Sequence, residues 1–213
     1  MFRDRLEAGE KLAEELVRLE LKEPVVVALP RGGVEVAVPI AKRLNAPVEL
    51  LFVKKLGAPH NPEFAIGAVA ESGLLFVNRD LAARLGVTEE ELQQMGIEKI
   101  QEIARLRQEL GVEPIPLEGR DVILVDDGVA TGSTIYLAAQ SVVRDRPNSI
   151  TIAVPVAPAD PEVLKMLEGV SHRLVILETH SPFLAVSRWY QSFPQLSTEE
   201  VKELLRQVEK RGE

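Results

Sequence analysis

Residues 122–134 read VILVDDGVATGST, and this stretch decides the fold that the chain is expected to adopt. Its apolar start, together with Asp121, predicts a strand buried on both faces, as in a parallel sheet. A loop of small residues follows, and a helix is predicted from this loop to about Arg144. Ligands of α/β proteins bind at the carboxyl ends of such strands. The stretch therefore predicts both a strand of the sheet and the position of a binding site.

Similar apolar runs alternate with helical patterns along the rest of the chain. Strands are predicted at residues 25–29, 47–53, 121–125, 149–154 and 173–177, and helices at 5–19, 34–44, 88–110, 161–167 and after Ser197. Residues 64–78 are predicted to form a hairpin that turns at residues 71–73. This alternation indicates a single α/β domain over residues 1–213, with a mainly parallel sheet.

Composition excludes several classes of function. The net charge of −8 disfavours a protein that binds nucleic acid or anionic membranes, because both need a basic surface. The chain has no cysteine, which excludes disulfides, thiolate nucleophiles and cysteine zinc sites. No apolar run approaches the roughly 20 residues that a membrane span needs, and the charged first segment is unlike a signal peptide. We therefore expect a cytoplasmic protein.

The loop after Val125 has the properties of a phosphate site. Gly128, Ala130 and Gly132 are small enough for the backbone to approach a ligand, and hydroxyl side chains follow. The next helix begins there, so its free N–H groups and positive dipole end face the loop. The adjacent carboxylates of Asp126 and Asp127 suit the vicinal hydroxyls of a ribose or a hard cation.

This uninterrupted stretch resembles the motif with which type I phosphoribosyltransferases bind 5-phosphoribosyl 1-diphosphate (PRPP). The resemblance implies a core of about five mainly parallel strands flanked by helices, with a small hood, and it implies Mg²⁺ as cofactor. It makes Asp126 and Asp127 catalytic residues that hold the ribose hydroxyls and the metal, directly or through water. It assigns the 5-phosphate to Gly128, Val129, Ala130, Thr131, Gly132, Ser133 and Thr134. The alternative is a strand-end loop with two solvated acids.

A second loop resembles the diphosphate loop of the same family. Arg31, Gly32 and Gly33 follow the first strand, where free backbone N–H groups and a guanidinium could bind the diphosphate. In the family a cis peptide bond often lies here, and by analogy it is expected at Arg31–Gly32. Lys54 and Lys55 resemble a basic pair that also contacts the diphosphate. The alternatives are a plain strand-to-helix turn and solvated lysines.

The sequence contains fewer signals for the part of the site that would bind the acceptor than for the part that would bind PRPP. The resemblance makes residues 56–78 a mobile segment and Glu71 a residue that assists the acceptor, although a solvated turn glutamate is the alternative. Residues 179–196 are the hood candidate, in which Phe183, Trp189 and Tyr190 stack on the acceptor or are buried under a loop or in an interface. Ala130 stands where hypoxanthine-guanine enzymes have an aspartate base, so the loop is more similar to that of the adenine enzymes.

The predicted function is transfer of phosphoribosyl from PRPP to a nitrogen of a small acceptor, such as a nucleobase, with release of diphosphate. The alternative is a PRPP- or nucleotide-binding regulator without catalysis, although the acidic charge disfavours nucleic-acid binding. A phosphohydrolase with Asp126 as nucleophile is the third option. The resemblance also suggests a homodimer, which the sequence alone does not show.

Overall fold

The computed structural model describes residues 1–209, apart from the side chain of Glu63. Five strands form a parallel sheet in the order β2-β1-β6-β7-β8. They are β1 (Val25–Ala28), β2 (Val48–Leu50), β6 (Asp121–Val125), β7 (Ser149–Pro158) and β8 (Arg173–His180). The predicted fold class is confirmed. Within residues 1–209, no helix has the length and apolar character that a membrane crossing requires.

Helices pack on both faces of this sheet. They are α1 (Arg5–Leu16), α2 (Gly32–Leu44), α5 (Ser133–Val143), α6 (Pro161–Glu168), α7 (Thr198–Arg206) and the end of α4 (Glu89–Leu110). Helix α3 (Arg79–Arg84) packs elsewhere. Alternate residues of β6 explain the two layers, because successive side chains of a strand point to opposite faces. Ile123 and Val125 pack with α1, α2 and α7, whereas Val122 and Leu124 pack against α5. Each face of the sheet therefore has its own hydrophobic core.

A second, smaller sheet is antiparallel and has the order β3-β4-β5. Its strands are β3 (Val53–Ala58), β4 (Asn61–Ala70) and β5 (Leu75–Val77), and α3 and α4 pack against it. The predicted hairpin and its turn are thus confirmed. This sheet contains most of the segment that we predicted to be mobile, and its mobility stays a prediction.

The single strand predicted at residues 47–53 was wrong. The chain leaves the parallel sheet after Leu50, where the Leu51 amide makes its last bond to β1, and Val53 begins the antiparallel sheet. A continuous apolar run does not reveal this change of partner, because both sheets bury their residues. Lys54 and Lys55 consequently lie within β3, opposite Val69 and Ala68, and not at the end of a parallel strand.

Local signals at helix ends were more reliable. Thr88 and Ser197 each form the predicted capping box, in which the side chain accepts the amide of the third helical residue. Helix α3 was not predicted, because six residues carry little helical periodicity. The cis peptide expected at Arg31–Gly32 lies one residue earlier, at Pro30–Arg31. Helix α2 already begins at Gly32, so the cis peptide bond precedes the helix.

Candidate functional site

The loop after β6 connects the acidic pair to the start of α5. Gly132 caps α5 with a φ of 84°, a left-handed conformation that favours glycine. The first turn of α5 contains no acidic side chain, so the positive end of its dipole is not compensated there. The hydroxyls of Thr131 and Ser133 lie 2.9 Å apart at the same helix start. Residues 128–134 therefore have the arrangement that suits a phosphate.

The loop after β1 lies directly against the acidic pair. A β carbon on Gly32 would overlap the Asp127 carboxylate, and one on Gly33 would lie 2.9 Å from the carbonyl oxygen of Val125. Both positions thus require glycine for close approach. The structure brings the predicted diphosphate loop (residues 31–33) and the loop after β6 (residues 126–134, the acid loop) together at one edge of the sheet.

Burial controls the ionisation of the two acids. Burial, and next the charge of Asp127, hold the pKa of Asp126 well above its ordinary value. Burial also raises the pKa of Asp127, although Arg5 acts in the opposite direction through an ion pair of 3.1 Å. The Oδ1 atom of Asp126 accepts the backbone N–H of Asp127 at 2.8 Å. The pair therefore stores unfavourable electrostatic energy that a bound cation or hydroxyl donor would relieve.

Asp126→Asn is expected to stabilise the protein by about 1 kcal/mol at pH 7, a usual gain when a strained functional group is removed. The amide oxygen can still accept a hydrogen bond from the Asp127 N–H, and position 126 no longer carries a charge beside Asp127. Because the folded-state pKa of Asp126 is raised, its cost is present at neutral pH and vanishes as the pH falls below its ordinary value of 3.8. Urea denaturation of both proteins at pH 7 and in acid measures this. Equal stability at pH 7 would show that Asp126 is not strained.

The acids fit a Mg²⁺ ion that arrives with a ligand better than a resident metal. Within residues 1–209, no group of three or more His, Asp or Glu side chains converges on a metal position. Mg²⁺ takes six oxygen ligands and commonly uses one or two carboxylates, water and substrate phosphates. Asp126 and Asp127 could supply the two carboxylates, directly or through water, and a bound diphosphate and water would supply the rest.

The predicted basic residues take different positions. Arg31 is exposed at the start of α2 and its Nη1 donates to the carbonyl oxygen of Leu196 at 3.1 Å. Lys54 is half-buried and Lys55 is exposed on β3, and Lys55 lines a groove with α4. Arg31 therefore lies within the predicted diphosphate loop, and a diphosphate contact of Arg31 or of either lysine stays a prediction.

Glu71 is held in a network that the sequence did not indicate. Its carboxylate accepts two bonds from Arg107, at 3.0 and 3.1 Å, and one from the Phe52 amide. Arg107 also donates to Glu49 at 3.1 Å. Burial lowers the pKa of Arg107, but its bonds to the two glutamates outweigh burial and raise it. Glu71 therefore has a structural role at the hairpin turn, and its catalytic role stays a prediction.

The hairpin turn also contacts the far part of α5. The hydroxyls of Ser72 and Ser141 lie 3.0 Å apart, and Ser141 lies eight positions after Ser133 in α5, a rise of about 12 Å. Glu71, Ser72 and Arg107 line a cleft of about 750 Å³ there. This cleft is distinct from the loops at the start of α5.

Arg107→Met is expected to lower the free energy of unfolding by about 2–3 kcal/mol, because it leaves Glu49 and Glu71 without their cation. Glu49 is the more sensitive partner, since its side chain is only 9% exposed. Arg105→Met, on the exposed side of the same helix, is the matched control. Chemical denaturation of the two variants tests this, and equal losses would mean that the network contributes little.

The aromatic residues after β8 form a cluster on the first turn of α1. Tyr190 is 5% exposed and packs with Phe2, and its hydroxyl donates to the carbonyl oxygen of Asp127 at 2.7 Å. Burial, and next the Asp127 charge, raise the pKa of this hydroxyl, which keeps it a donor. The Trp189 ring stacks on His180 at 3.6 Å, and its N–H donates to the Phe183 carbonyl oxygen. Acceptor contacts by Phe183, Trp189 and Tyr190 stay predictions.

Arg5 is a site residue that sequence reasoning missed. It lies at the start of α1, yet its guanidinium reaches Asp127, which is 122 positions away along the chain. Within its amphipathic helix Arg5 looks like a surface cation, and nothing local marks it as buried. Only the burial of the first turn against the sheet could have shown this.

Comparisons with known proteins agree with this geometry. Residues 3–169 match the family model described as a phosphoribosyl transferase domain. The chain is 37% identical over 203 residues to a Mycobacterium tuberculosis protein that carries the provisional name phosphoribosyl transferase, covering 94% of this chain. The chain spans 45% of the length of that relative.

Solved structures show the same fold. The crystal structure of TT1426 from Thermus thermophilus is similar with a TM-score of 0.76 and 38% identity, covering 96% of this chain and 97% of that one. A Neisseria gonorrhoeae protein with bound ppGpp, at 15% identity and a TM-score of 0.54, shares the fold over 95% of this chain and 91% of its own. From the match of its sequence, its fold and its acid loop, the chain belongs to the phosphoribosyl transferase family.

Proposed function

We propose that this chain binds PRPP with Mg²⁺ and transfers the phosphoribosyl group to a nitrogen of a small acceptor, of the nucleobase type, with release of diphosphate. One observation carries the proposal. The half-buried acid pair and the start of α5 belong to one continuous loop, and the Gly32–Gly33 backbone lies in contact with that loop. PRPP is a sugar that carries a phosphate at one end and a diphosphate at the other. A single PRPP molecule therefore suits all three features: the acid pair, the start of α5 and the Gly32–Gly33 backbone.

Each feature has a role in the proposed reaction. Asp126 and Asp127 accept the ribose hydroxyls, directly or through the metal, and residues 128–134 hold the 5-phosphate. Arg31 and the amides of Gly32 and Gly33 hold the diphosphate, with a contribution proposed for Lys54 or Lys55.

The bond between C1 of the ribose and the diphosphate oxygen breaks, and the oxygen keeps the electron pair. An acceptor nitrogen then bonds to the oxocarbenium-like C1 and loses its proton to the departing diphosphate or to water. Catalysis depends mostly on positioning and on stabilising the departing negative charge.

Acceptor binding is proposed for Phe183 and Trp189. The Phe183 and Trp189 side chains are only partly exposed, and they belong to the segment whose Tyr190 contacts the acid loop. A base that stacked on either ring would therefore lie next to the ribose end of the site.

Turnover tests the proposal. The protein is incubated with PRPP and Mg²⁺ together with purine, pyrimidine and other amine acceptors, one at a time. We expect diphosphate release that depends on one class of acceptor, with a ribosylated product detected by mass. Asp145→Asn, on the surface beyond the end of α5, is expected to behave as the unmodified protein. Release of inorganic phosphate instead would indicate a phosphohydrolase, and binding without turnover would indicate a regulator.

A further inference from the structure

Arg5 is a buried cation at the centre of four chain segments. Its side chain is 5% exposed although it comes from the first turn of α1. Its Nε atom donates to Oδ2 of Asp127 at 3.1 Å, and its Nη1 atom donates to the carbonyl oxygen of Pro194 at 2.8 Å. The guanidinium lies 3.9 Å from the centre of the Phe193 ring and 3.9 Å from the Glu35 carboxylate. A buried arginine with these partners is held in one geometry.

The Asp127 carboxylate has two other neighbours. Across the loop lies Gly32, which has no side chain to pack against it. Asp126 repels the Asp127 carboxylate when both acids are ionised, and donates a hydrogen bond to it when Asp126 is protonated. Among the bonds of residues 1–209, the one from Arg5 is the charged contact that occupies Oδ2 of Asp127. The ion pair with Arg5, which is 122 positions away along the chain, thereby fixes the direction of the other carboxylate oxygen of Asp127.

The same contacts tie the segment 190–196 to both predicted ligand loops. The Tyr190 hydroxyl holds the Asp127 carbonyl oxygen, Arg5 holds Pro194, and Arg31 holds Leu196. Arg5 thus connects this segment to the side-chain carboxylate of Asp127, whereas Tyr190 bonds the backbone of Asp127.

We propose that Arg5 is a positioning residue of this site. By holding Oδ2 of Asp127, it orients the other oxygen toward the ribose hydroxyls, and it makes that orientation depend on the packing of residues 190–196. The inference rests on the proposed function, since it assumes that Asp127 contacts the sugar. It assigns Arg5 no contact with the ligand itself.

The test compares two ligands that use different parts of the site. Calorimetry with Mg²⁺ gives the Kd of PRPP, which contains the ribose, and of inorganic diphosphate, which does not. For Arg5→Gln we expect the Kd of PRPP to rise about tenfold, as for loss of one charged hydrogen bond, and the Kd of diphosphate to stay within about twofold. Arg3→Met, at an exposed position two residues before α1 begins, is expected to change neither.

Arg5→Lys separates charge from geometry. A lysine keeps the charge but cannot bond Asp127 and Pro194 with one planar fork, so we expect a rise of about threefold in the PRPP Kd only. This variant also decides the matter if Arg5→Gln does not fold.

Unchanged PRPP binding in the folded Arg5 variants would overturn the inference. So would equal losses for PRPP and diphosphate, which would indicate a general loss of structure. Failure of the unmodified protein to bind PRPP would instead contradict the proposed function.

Discussion

Asp127→Asn is expected to weaken Mg²⁺-PRPP binding by about 10- to 100-fold, the value of a lost charged hydrogen bond. The amide keeps the shape of the side chain but removes the negative charge that attracts a metal or a hydroxyl donor. It also leaves the buried Arg5 without its carboxylate at 3.1 Å. Calorimetry at constant Mg²⁺ measures the change.

The control for this variant is Asp145→Asn, because Asp145 is exposed beyond the end of α5. We expect it to leave the Kd unchanged. A PRPP affinity of Asp127→Asn within about twofold of the unmodified protein would remove Asp127 from the site, provided that circular dichroism shows the variant to be folded.

Gly32→Ala is expected to reduce PRPP affinity by about tenfold or more while the helix it starts remains folded. The new methyl group would overlap the Asp127 carboxylate and approach the Arg5 Nε atom to 2.9 Å, so both must move. Alanine favours helix over glycine by about 0.5–1 kcal/mol, so the loss would come from the site and not from α2.

Gly96→Ala is the matched control for Gly32→Ala. Gly96 lies in α4 with open space where its β carbon would be. The same substitution there should raise the free energy of unfolding by about 0.5–1 kcal/mol and leave PRPP binding unchanged. Equal PRPP affinities for the two variants would show that Gly32 does not need to approach the acid loop.

The sequence predicts the parallel sheet well, because its signals are local. Asp121–Val125 and its following helix are bounded by residues whose roles are evident within a few positions, and Thr88 and Ser197 mark their helices in the same way. The strand at 47–53 fails because hydrophobicity reports burial and does not report which neighbour a strand pairs with.

The same distinction between local and long-range signals applies to the residues of the candidate site. The acid loop and the predicted diphosphate loop are contiguous motifs, so the sequence indicates them, and the two loops lie in contact. Arg5 and Arg107 act through partners far along the chain, at Asp127 and at Glu49 and Glu71. A buried arginine cannot be told from a surface arginine before the packing of its helix is known.

The central claim is that the acid loop binds PRPP with Mg²⁺, and a calorimetric titration of the unmodified protein tests it most directly. We predict saturable binding of one PRPP per chain in the presence of Mg²⁺, weakened when the metal is chelated and absent for ribose without phosphate. No binding of PRPP at millimolar concentration, with Mg²⁺ present and the protein folded, would contradict the account.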